Sequence, residues 1–243
     1  MISKQQIILM VIFCIFFTQT ISASHANKYP NSFTAFRDTV YMQNKSLPET
    51  MRLYTAAKQE IENSLSGADK FVLLSKCEYL MGITFRADNK NNEAETYFKQ
   101  GIVYADKSIQ IHPTSEGYRL LGTNISFLCE VNTYYGQRYY KKIEESAQRA
   151  LELDHNNLIA KYLIAAFYIS TPLPVSDVRI GMRLLEEIIQ QNYSNLDWED
   201  QFNLFLMLQT ACFKLNRNHE AQIWRAGCEA IYPTNNFIRF LVE

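Results

Sequence analysis

Apolar residues return every three or four positions along most of this chain, the spacing of helices that bury one face. In "SLPETMRLYTAAKQEIENSL", Leu53, Ala56, Ala57, Ile61 and Leu65 fall on one side at helical phase. Ser46 stands at the N-cap position and Pro48 in the first turn. A shorter amphipathic piece, "SFTAFRDTVYMQ", precedes it, so the two predict a helical pair. With 8 glycines and 6 prolines in 243 residues, a turn-rich β fold is disfavoured and long helices on short loops are favoured. The start of the chain breaks the pattern. Lys4 is followed by an unbroken apolar run from Ile7 to Phe17 and then by the small and polar "TQTISASHA", which predicts an export signal over 1–26, cleaved after Ala23, Ser24 or Ala26. The run is shorter than the roughly 20 residues that span a bilayer, so no stable membrane span is expected after cleavage.

A second periodicity lies above the helical one. In "SKCEYLMGITFRADNKNNEAETYFKQG", small residues at Gly82, Ala94 and Gly101 alternate with Phe85 and Phe98. Small side chains let two antiparallel helices approach, and the aromatic rings fill the space beside them. The arrangement returns with Leu121-Gly122, Ile125, Ala147 and Ala150, then with Ala165, Tyr168, Gly181 and Leu185. A last copy carries Leu208, Cys212, Ala221, Cys228 and Pro233. Over residues 70–236 this text resembles the tetratricopeptide repeat (TPR) family. The resemblance implies an all-α fold, a right-handed superhelical array of antiparallel helix pairs, with about four pairs in 70–236. Residues 27–69 are then capping helices and 237–243 a closing segment. Departures from the family pattern sit at "VNTYYGQRYYKK", read as extra material between two helices with the second beginning near Gln137, at the loop "STPLPVSD", and at Gln209 in a usually small position.

Charge and chemistry narrow the function. Lys and Arg (24) balance Asp and Glu (25), which argues against a nucleic-acid binder. No His-x-x-x-His, Cys-x-x-Cys, phosphate loop or nucleophile elbow occurs, so neither catalysis, metal nor cofactor is expected. Carboxylate pairs such as Glu144-Glu145 and Glu199-Asp200 read as solvated helix faces. Cys77, Cys129, Cys212 and Cys228 sit at apolar helical positions and read as buried thiols, with Cys212 and Cys228 the one pair that could be bonded.

In TPR proteins the first helix of each pair lines the concave face. By that resemblance Lys76, Tyr79, Ile83 and Arg86 face the groove from the first copy, and Arg119, Thr123 and Phe127 from the second. Tyr162, Ala166 and Ile169 follow from the third, Leu206, Thr210 and Phe213 from the fourth. Tyr135 and Arg138 are expected as rim contacts. The expectation is a non-enzymatic exported scaffold, periplasmic before extracellular, holding a protein or peptide partner along that groove. The alternative is a ligand-binding accessory of an envelope transport system, with a small apolar ligand in a closed pocket.

Overall fold

The computed structural model describes residues 29–171, 176–191 and 193–238. Among these are ten α-helices, two short 3-10 turns and no strand. The helices are α1 (Asn31–Met42), α2 (Leu47–Ser64), α3 (Gly67–Ala87), α4 (Asn91–Ile111) and α5 (Ser115–Val131). They continue as α6 (Thr133–Leu153), α7 (Leu158–Ser170), α8 (Val178–Gln190), α9 (Trp198–Lys214) and α10 (Asn218–Ile231). None is long and apolar enough to cross a membrane. The expected signal, the prolines of "STPLPVSD" and the last five residues lie outside the described residues.

Each odd-numbered helix packs on the even-numbered helix after it, and α1, α3, α5, α7 and α9 also touch in succession. The result is five helical hairpins side by side, an all-α repeat-like array. Local chemistry explains the joints. Asn89 and Asn216 adopt left-handed φ values of 58° and 57° at corresponding points after α3 and α9, a conformation asparagine tolerates. Asn157 accepts from the Ile159 and Ala160 amides, and Asp177 from those of Arg179 and Ile180, starting α7 and α8.

The small residues do what their spacing predicts. A Cβ on Gly82 would strike the Phe98 ring, one on Gly101 the Asn124 amide, and one on Gly122 would come within 2.6 Å of Leu163. Gly82 therefore brings α3 against α4, Gly101 brings α4 against α5, and Gly122 brings α5 against α7. The four described cysteines are free thiols, three of them buried.

Two expectations change. "VNTYYGQRYYKK" is not an insertion between helices: α5 runs to Val131 and α6 begins at Thr133, with Asn132 alone between them. That residue ends one helix and caps the next by accepting from the Tyr134 amide at 3.1 Å, so the extra length is extra helix. Ser46 takes the expected N-cap position of α2, with Pro48 in the first turn, and makes no side-chain cap bond. Buried Gln209 faces the terminal turn Asn236–Ile238, donating to the Ile238 carbonyl at 3.3 Å, so its bulk does not obstruct a neighbouring helix.

The array also meets its own end. Tyr41 of α1 stacks on Tyr232 with 5.2 Å between ring centroids and meets Phe202 edge-on at 5.7 Å. Asn203 donates to its hydroxyl at 2.8 Å, and Asn235 to its carbonyl at 2.7 Å. One hydrophobic core therefore extends from Phe33 and Phe36 in α1 to Cys228 and Tyr232 at the other end of the array.

Candidate functional site

Seven residues expected on the inner face converge. Lys76 and Tyr79 of α3, Arg119, Thr123 and Phe127 of α5 and Tyr162 and Ala166 of α7 line one narrow inner cavity of about 70 Å³. Tyr41 of α1 and Glu199, Asp200 and Asn203 of α9 close it from the other side. Successive first helices of the hairpins bring equivalent positions together, which is why the register was readable. Arg86 lies nearby: its guanidinium sits over the Phe127 ring at 5.4 Å and pairs with Glu130 at 2.8 Å.

Phe213 lines neither cavity and is half-buried against the core. Tyr135 and Arg138 lie away from the inner face. Tyr135 stacks on Tyr139 at 6.0 Å beneath the Lys99 ammonium, and exposed Arg138 donates to the Tyr134 hydroxyl at 3.2 Å.

The inner cavity carries an ionic cluster. Arg37 of α1 meets Glu199 of α9 at 2.9 Å, and Lys76 of α3 pairs with the other oxygen of the same carboxylate. Lys76 and Glu199 are only 4% and 1% exposed, so a single carboxylate pins three helices inside the protein. Burial alone would lower the Lys76 ammonium; the charges of Glu199 and Asp200 reverse this and hold it above its ordinary value. Arg119, also buried, forms a two-pronged pair with Glu116 one turn before it. Burial pushes the Tyr79 hydroxyl up to about 12, and it lies 3.3 Å from that of Tyr41.

Asp200 differs from its neighbours. Among the described residues, no side-chain hydrogen bond or ion pair is formed by its carboxylate. Burial raises its pKa from 3.8 to about 6, and the nearby charges of Lys76 and Arg119 do not cancel the effect. Arg119, Ile159 and Asp200 also line a second, much larger cavity of about 1060 Å³. This one lies where α3, α5, α7 and α9 begin, and its walls include Tyr29, Asp69, Glu116, Asn157, Leu196 and Asp197. The two cavities are therefore neighbours that share a wall.

Asp197, Glu199 and Asp200 bring one oxygen each within 4.8 Å of one another. Lys76 and Arg37 already neutralise Glu199, so an incoming metal would have to displace two cations, and the donor set does not favour one.

The reading of Glu199-Asp200 as a solvated helix face is overturned for Glu199, because α1 and α3 cover that side of α9. Arg37, Tyr41 and Asn203 were likewise missed. Their partners are more than a hundred residues away, and no local pattern in the sequence announces such a meeting. No known family model matches the chain, and no curated protein matches it.

Proposed function

We propose that this chain is a non-enzymatic exported binding protein on a TPR-like array, which takes its ligand in the cavity at the end where α3, α5, α7 and α9 begin. The contact of α1 with α9 and Tyr232 carries this reading. It leaves the inner face a cavity of about 70 Å³, too small for an extended peptide, beside one of about 1060 Å³, the size of a ligand pocket. A peptide lying along Lys76, Tyr79 and Tyr162 would have to separate α1 from α9 first. The ligand-binding alternative is thus preferred to the groove scaffold, with a pocket of mixed charged and apolar walls in place of a purely apolar one.

A covalent lock separates the two. Thr234 bonds the Met42 carbonyl, so cysteines at Met42 and Thr234 can be oxidised to hold α1 against the end of the array. Ligand capture from an envelope extract, followed by native mass spectrometry, should be unchanged in the locked protein. Loss of all capture on locking, restored by reductant, would return the function to the groove.

A further inference from the structure

We infer that the large cavity recognises an organic cation, an ammonium or guanidinium group on a short apolar stem, with Asp200 as its counter-ion. The inference rests on the reading that this cavity is the ligand site. What points to a cation is the charge where the two cavities meet. Among the described residues, Arg37, Lys76 and Arg119 are the cations there, against the carboxylates Asp38, Asp69, Glu116, Asp154, Asp197, Glu199 and Asp200.

Each cation is already matched. Glu199 takes Lys76 and shares Arg37 with Asp38, and Glu116 takes both prongs of Arg119. Asp197 accepts from the Tyr29 hydroxyl at 2.9 Å. Asp69 and Asp154 are exposed, so among the described residues Asp200 is the partly covered carboxylate without an ion pair or a side-chain hydrogen bond, and it lines both cavities. A carboxylate held in such a place is destabilised until a cation reaches it, and a bound ammonium would supply one.

The surroundings specify the rest of the ligand. The inner cavity adjoining Asp200 is walled in part by Tyr79, Phe127, Tyr162 and Leu163, which suit an aromatic or short alkyl stem, and its charged walls are already paired, Lys76 with Glu199, Arg119 with Glu116 and Glu130 with Arg86. Both nearby cations are engaged, so a carboxylate or phosphate ligand would meet Asp200 without a free partner.

Calorimetric titration of the intact mature protein with phenethylamine, 2-phenylethanol, phenylacetate and calcium chloride tests this. Phenethylamine should bind at least tenfold more tightly than either phenyl isostere. Asp200→Asn, judged folded by an unreduced melting temperature, should weaken it at least tenfold. The groups facing Asp200 are Lys76 and Tyr79 on α3, Glu116 and Arg119 on α5, Tyr162 on α7, Asp197 and Glu199 on α9, and Tyr29 before α1. None of the cations among them loses its proton between pH 7.5 and 5, and neither does the amine. Protonation of Asp200 should therefore make binding about tenfold weaker at pH 5 than at pH 7.5.

Equal or tighter binding of the alcohol or of phenylacetate, abolished by Ile159→Trp, would keep the cavity as a ligand site and overturn the cation. Calcium binding without amine binding would also overturn it. Absence of binding by all four probes would overturn both the cation and the cavity.

Discussion

The Arg37 guanidinium and the Glu199 carboxylate meet at 2.9 Å across 162 residues of sequence, and this contact joins the first helix of the array to the ninth. Lys76 reaches the same carboxylate from α3, so the pair fixes three hairpins relative to one another and covers the inner face. A stack of helical hairpins with free ends would keep that face open.

Removing one member of this cluster strands the others. Glu199→Ala should destabilise the fold by about 3–5 kcal/mol, because it leaves Lys76 and part of Arg37 buried without a counter-charge. The double variant Lys76→Met/Glu199→Leu should recover much of that loss. Chemical denaturation of the single and double variants measures the difference.

Asp200→Asn should stabilise the unliganded protein at neutral pH. The folded value of about 6 exceeds the ordinary 3.8, so between these pH values the folded state holds more protons than the unfolded one. Asp200 therefore adds stability as pH falls through 6 towards 3.8, and subtracts it above 6. The advantage of the variant should be about 1–2 kcal/mol at pH 7.5, allowing for partial exposure, and should vanish below about pH 4. Melting curves of both proteins across this range check the sign.

Gly82→Ala adds a methyl where the Phe98 ring already stands, within the contact of α3 and α4. Overpacking of this kind costs about 1–3 kcal/mol. Gly136→Ala, whose new methyl would come no nearer than 3.8 Å to the Cys129 carbonyl, is the matched control and should lose far less. Thermal unfolding of the two variants separates them.

The thiols should react in order of cover. Cys129 is partly exposed with its pKa raised to about 11 by burial, while Cys77, Cys212 and Cys228 are enclosed. Maleimide labelling of the native protein should reach Cys129 first, and the mass of the protein should be the same with and without reductant. A two-dalton change on reduction would show a bond between Cys212 and Cys228 instead.

At the Tyr135 hairpin the partners are local. Tyr135→Ala removes the stack on Tyr139 and the support beneath Lys99. A loss of about 0.5–1.5 kcal/mol is expected, with no change in ligand capture at the end cavity. Parallel denaturation and capture assays on this variant test both statements.

The sequence by itself determined the helices, their pairing and the inward register of Lys76, Tyr79, Arg119, Phe127 and Tyr162. The helices and their pairing follow from periods of three or four residues and from small residues such as Gly82 and Gly101 at helix contacts, and the inward register from the resemblance to the TPR pattern, all of which are local or act between neighbouring hairpins. Only the tertiary structure decided that α1 and α9 would meet. Tyr41, Asn203 and Tyr232 carry no mark of one another in the text, and Glu199-Asp200 has the appearance of an ordinary charged first turn. Whether that turn faces water depends on how many hairpins separate it from α1 and on how each is rotated on the last, a sum over the whole array. That sum buried Glu199 in an ionic cluster and left Asp200, among the described residues, without an ion pair at the wall of a cavity.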